Sequence, residues 1–139
     1  MQTRRAGKMT YNSKILKAFE SVIKHLETSI SALKHNDKDA FSNGVWHAAA
    51  ELEYTLFLFF LAVGDEHKMS LAKLNPDPKS LQIDQAILKV KELVDKAQNL
   101  FRVGDIINAY KSVYLARHYV FRVQESLTKN KHKVGGRKK

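Results

Sequence analysis

The chain has no cysteine, which excludes disulfides, thiolate metal sites and cysteine nucleophiles together. That fits a reducing compartment. The first nine residues, MQTRRAGKM, lack the apolar segment of a secretory signal, so a soluble cytoplasmic protein is expected. Phosphate-cradling loops need clustered glycines, and the only Gly-Gly pair is Gly135-Gly136, inside a basic terminal stretch where it reads as a source of flexibility. Neither residues 1–9 nor residues 129–139 contain an acid.

Catalytic and metal-binding patterns are missing too. The six histidines are His25, His35, His47, His67, His118 and His132, and no two are three or four residues apart, the spacing of zinc ligands on one helix. The Glu-x-x-His pairs of carboxylate-bridged metal bundles do not occur. His47 and Glu51 share a helix face and read as a polar pair. Glu51 and Glu53, two apart on a helix, point in different directions and form no acid–base couple. No enzyme activity, metal or cofactor is expected.

What the chain does have begins with charge. The formal net charge is +10 over 139 residues. Arg4, Arg5 and Lys8 lie in the first nine residues; Lys129, Lys131, Lys133, Arg137, Lys138 and Lys139 lie in the last eleven. Those nine leave 15 of the 24 basic residues against 14 acidic ones, so the body is nearly neutral. Acid-free basic arms suit phosphate. The length fits one domain, read as residues 10–128 between arms 1–9 and 129–139.

The body reads as four helices. From Tyr11 to about His35, Ile15, Phe19, Val22, Leu26, Ile30 and Leu33 recur at steps of three and four, with Lys14, Lys17, Lys24 and Lys34 off the stripe. Asp37 or Asp39 can cap the second helix, which runs to Val63 and stops at Gly64. Its stretch from Ala48 to Val63 is apolar nearly all round and too short for a membrane span. It predicts the most buried helix of the domain, or one that is half core and half subunit interface. Trp46, at its start, and the rings of Phe57 and Phe60 are expected in the core.

Residues 64–80 form the longest break. Lys68 to Leu74 suggests a helical turn or two, and Asp77-Pro78 reads as the cap and first position of the third helix. That helix places Ile83, Ile87, Val90, Val94, Ala97 and Phe101 on one face. Gly104-Asp105 ends it and caps the fourth, which points Ala109, Val113, Ala116, Val120, Val123 and Leu127 inward. The expected fold is all-α: an antiparallel four-helix bundle built from two helical hairpins, with basic N- and C-terminal arms.

The two hairpins share a local pattern, since Lys38-Asp39-Ala40-Phe41 and Ile107-Asn108-Ala109-Tyr110 each open a second helix after a polar turn. Asn99 to Tyr119, with Leu100, Gly104, Asp105, Ala109, Tyr110 and Ala116, resembles the hairpins of HEPN-type and related archaeal helical families. The resemblance covers about a third of the chain and implies a helical-hairpin fold. The ribonuclease motif of active HEPN proteins, an arginine followed after four to six residues by histidine, is absent, so that activity is not implied.

The fourth helix carries the main candidate site. Lys111, Tyr114, His118 and Arg122 fall on one face at helical spacing, flanked by Tyr110, Arg117 and Phe121. Cations interleaved with aromatics can grip phosphates and stack on unpaired bases. The leading expectation is a non-enzymatic component of a nucleoprotein assembly, ribosome-associated or nucleocapsid-like, that binds RNA or DNA through its basic arms and this face. The alternative is a protein–protein adaptor, including a homodimer built on the apolar surface from Leu56 to Val63. There the acids Asp37, Asp39, Glu51 and Glu53 suit a basic partner. No membrane partner is expected.

Overall fold

A computed structural model describes residues 2–64 and 81–137, with side-chain surroundings for residues 11–64 and 81–129. It is all-helical, with no strand among the described residues. The helices are α1 (Gln2–Lys34), α2 (Lys38–Val63), α3 (Ile83–Arg102) and α4 (Ile106–Arg137). α1 packs on α2 and α3, and α4 packs on α3 and α2, as in a bundle.

Each expected stripe faces the core. Ile15, Phe19, Val22 and Leu26 of α1 are fully buried, as are Ile87, Val90, Val94 and Ala97 of α3. On α4, Ala109, Val113, Ala116, Val120 and Val123 are buried. One ring from each helix meets in the interior. Phe59 lies edge-on to Phe19 at 6.0 Å and to Phe101 at 5.7 Å, and its ring stacks on Tyr110 at 5.4 Å. Edge-to-face and stacked rings add to the area they bury.

The two short links are built alike. After α1, Asn36 takes φ +56°, the Asp37 amide donates to the Ala32 carbonyl at 2.9 Å, and the Asn36 amide donates to Leu33. After α3, Gly104 takes φ +90°, the Asp105 amide donates to Leu100 at 2.9 Å, and the Gly104 amide donates to Phe101. Both are Schellman ends, with a left-handed residue that favours Gly or Asn. Each aspartate then caps the next helix. Asp37 Oδ1 accepts from the Ala40 amide, and Asp105 Oδ1 accepts from that of Asn108.

These links correct the internal register read from the sequence. Matching Ala40-Phe41 to Ala109-Tyr110 is off by one. Cap matched to cap, the two helix pairs α1–α2 and α3–α4 are related by 68 residues, the separation of Asp37 and Asp105. Phe41 then corresponds to Ala109, Val45 to Val113, Ala48 to Ala116 and Leu52 to Val120, all buried. Upstream, Ala18, Val22 and Leu26 correspond to Ala86, Val90 and Val94, again all buried. The physical reason is that the turn, not side-chain likeness, sets which positions face inward.

α2 is not buried all round. Val45, Ala48, Leu52, Leu58 and Phe59 are core, but Trp46 is 49% exposed, Phe57 is 55% exposed, and Tyr54 and Leu61 are also open. Phe60 is half-buried. The expectation of Trp46 and Phe57 as core residues therefore fails. One helix in a four-helix bundle has neighbours on only part of its circumference, and an apolar sequence does not supply more of them. By length and composition the whole of α2 would reach across a bilayer, unlike the shorter stretch from Ala48 to Val63 read from the sequence, and 39% of its most apolar window is buried.

Three boundaries also move. α3 begins at Ile83 with Gln82 before it, its amide donating to Gln85 Oε1, later than the Asp77-Pro78 start. Asp77-Pro78 and the turn at 68–74 lie outside the described residues. α1 and α4 run beyond the predicted limits, so the helical backbone continues through most of both basic arms, including Gly135-Gly136.

Candidate nucleic-acid interface

α4 presents the predicted cation–aromatic stripe, and the bundle divides its members between two jobs. Tyr110 is buried and belongs to the ring cluster on Phe59. Tyr114 is half-buried against the core, with its ring 4.5 Å from that of His118. His118 Nδ1 lies 3.0 Å from the Tyr114 carbonyl, one turn back. This contact holds the imidazole along the helix. The pair forms a partly covered aromatic ledge.

The arginines are already engaged. Arg117 makes an ion pair with Glu53, tying α4 to α2. Arg122 donates from Nη1 to Ser126 Oγ at 2.8 Å, while its Nε is buried with no partner among the described residues. A buried guanidinium N–H without an acceptor is costly, which marks this as the least settled polar group on the face. Lys111 is half-buried and Lys129 exposed. Phe121, one turn beyond Arg117, is 59% exposed.

The arm residues divide by description. Arg4, Arg5 and Lys8 sit on the helical backbone of α1, and Lys131, Lys133 and Arg137 on that of α4. Their side chains, and Lys138 and Lys139 altogether, lie outside the described residues. The other seven cations are thus carried at the first turns of one helix and the last turns of another.

Two contacts were not legible beforehand. The rings of His25 and His47 stack across α1 and α2 at 5.1 Å, although the residues are 22 positions apart in the chain. Beside them Gly44 faces Ser29 so closely that an added Cβ would stand 2.1 Å from Ser29 Oγ. A glycine inside a helix signals such an approach, but not its partner. Among the described residues, no three of His, Cys, Asp and Glu gather to hold a metal. Among the described residues an open depression of about 450 Å³ lies beside α1, lined by Glu20, Ile23, Lys24, Glu27, Thr28 and Gln98. Its mixed charges converge on no reacting centre.

No family model matches the chain, and neither a curated protein nor a solved structure does.

Proposed function

We propose that this is a non-enzymatic, cytoplasmic component of a nucleoprotein assembly that binds RNA or DNA phosphates through its basic ends. The observation that carries the reading is the segregation of charge. Nine cations without one acid occupy the two termini, while the body is nearly neutral. Phosphate contacts of this kind supply affinity without sequence information. Lys129 and Lys111 extend the basic surface inward along α4, with the Tyr114–His118 ledge between Lys111 and Arg122.

The bundle in this reading is a docking body made of two antiparallel hairpins. The reversed order of contacts along α1 and α2 supports it: Ser29 against Gly44, His25 against His47, Phe19 against Phe59. The HEPN-like segment enters the proposal as a hairpin only. Its Gly104, Asp105 and Ala109 are turn and packing residues, and it brings no catalytic group.

The test is binding of single- and double-stranded RNA and DNA across salt concentrations, with the full chain and with a chain lacking residues 1–9 and 129–139. Loss of most of the salt dependence with retained helical circular dichroism supports the reading. Equal binding by both chains removes the arms from it. The adaptor reading is favoured by a different observation, the exposed apolar side of α2, and would then take first place.

A further inference from the structure

α2 turns Trp46, Ala50, Tyr54, Phe57 and Leu61 to solvent, at steps of four, four, three and four. Residues at such steps form one continuous stripe on a helix. The molecule contains its own control for this surface. Shifted by 68 residues, the same positions on α4 carry Tyr114, His118, Arg122, Glu125 and Lys129. Glu125 and Lys129, the exposed members of that set, show that the fold accepts charge at the positions matching Phe57 and Leu61. The apolar choice on α2 is not imposed by the bundle, and a stripe of this kind on a soluble surface marks an interaction site.

We propose that the stripe is the interface of a homodimer in which two copies of α2 pack antiparallel about a two-fold axis near Glu53 and Tyr54. The stripe is self-complementary in that arrangement. Trp46 falls opposite the partner's Leu61, Ala50 opposite the partner's Phe57, and Tyr54 opposite the partner's Glu53. Ala50 thus leaves room for the partner's Phe57, and an isologous contact needs one patch that fits itself. Glu53 brings no unpaired acid to the axis, because Arg117 of its own chain already holds it.

Charge favours a second copy as the occupant. Residues 39–67 are the longest stretch without Lys or Arg in a chain of net charge +10. Two such chains can meet along α2 with no Lys or Arg of that helix in the contact, and the cation near the axis, Arg117 of α4, is neutralised by its ion pair with Glu53. The area is of the right order. Trp46, Tyr54, Phe57 and Phe121, which lies one turn along α4 from the Arg117 that meets Glu53, are each about half exposed, and aromatic side chains offer roughly 150–250 Å² apiece, giving roughly 400 Å². The apolar share of a standard interface is roughly 500 Å² per partner, which Leu61 and Ala50 bring within reach. This surface is separate from the basic ends and does not depend on nucleic-acid binding.

The experiment is sedimentation velocity of the nuclease-treated full chain at high salt, from low-micromolar to near-millimolar concentration. A reversible dimer is expected, and Phe57→Glu should sediment as a monomer with unchanged helical circular dichroism. Trp46 is the only tryptophan, so its emission should shift to the red on dilution and in the variant. The cysteine-free chain allows the register to be read directly. Tyr54→Cys should cross-link two copies on oxidation. Leu61→Cys should not, since the two positions would stand about 22 Å apart along the axis at 1.5 Å per residue. A wild-type chain that stays monomeric throughout, including one that instead floats with lipid vesicles, overturns the proposal. So does Leu61→Cys cross-linking as readily as Tyr54→Cys.

Discussion

Gly44 of α2 lies directly against Ser29 of α1, and the Ser29 hydroxyl, donated to the His25 carbonyl at 2.9 Å, fills the space a side chain would need. The pair fixes how closely the first two helices approach. Glycine within a helix costs about 1 kcal/mol relative to alanine, so the close contact must offset that cost.

Gly44→Ala should therefore destabilise the chain by about 1–3 kcal/mol, against the trend of helix propensity, because the added Cβ displaces the Ser29 hydroxyl and crowds the His25 carbonyl oxygen, 3.2 Å away. Denaturant unfolding measures it. Adding Ser29→Ala removes the nearest oxygen and should recover part of the loss. The recovery should be incomplete, since Ser29 Cβ itself stands 3.2 Å from the added atom.

Two phenylalanines two residues apart should behave oppositely. Phe59 is fully buried among Phe19, Phe101 and Tyr110, so Phe59→Ala should cost about 3–5 kcal/mol. Phe57 is more than half exposed, and Phe57→Ala should change the stability of the isolated monomer by less than about 0.5 kcal/mol. Equal large losses would mean that α2 is rotated from the orientation described.

The helix joints give a third comparison. Asp37→Ala and Asp105→Ala each remove a cap and should cost about 1 kcal/mol. Because the joints are at separate links, the double variant should show the sum within about 0.5 kcal/mol. Gly104→Ala should also destabilise, because Gly104 holds φ +90°.

Arg117 and Glu53 link α4 to α2 at a partly exposed site. A double-mutant cycle with Arg117→Ala and Glu53→Ala should give a coupling below about 1 kcal/mol. It should shrink as salt is raised, since surface pairs are screened. A larger, salt-resistant coupling would mean that the pair is more enclosed than its exposure implies.

For nucleic acid, each phosphate neutralised on duplex adds about −0.9 to the slope of log K against log salt. Engagement of about half the arm cations would give a slope of about −4 by the same relation. The truncated chain should lose most of it. Tyr114→Ala should have a smaller effect than on a free stacking platform, because the ring is half covered by the bundle.

The local elements were legible because their causes are local. Helical periodicity placed the buried stripes of α1, α3 and α4, and Gly64, Gly104 and Asp105 marked helix ends by backbone preference and capping alone, with the cap of α2 narrowed to Asp37 or Asp39. The segregation of charge to the termini is also a property of the sequence itself. Tertiary structure decided the rest. Whether Trp46 and Phe57 are buried depends on how many neighbours surround α2, and hydrophobicity does not count neighbours. The His25–His47 stack, the Gly44–Ser29 contact and the use of Arg117 by Glu53 join residues far apart in the chain, brought together only when the helices pack. The 68-residue register between the two helix pairs became readable only from the turn geometry, because the joint, rather than the likeness of Ala-aromatic pairs, determines which side chains point inward.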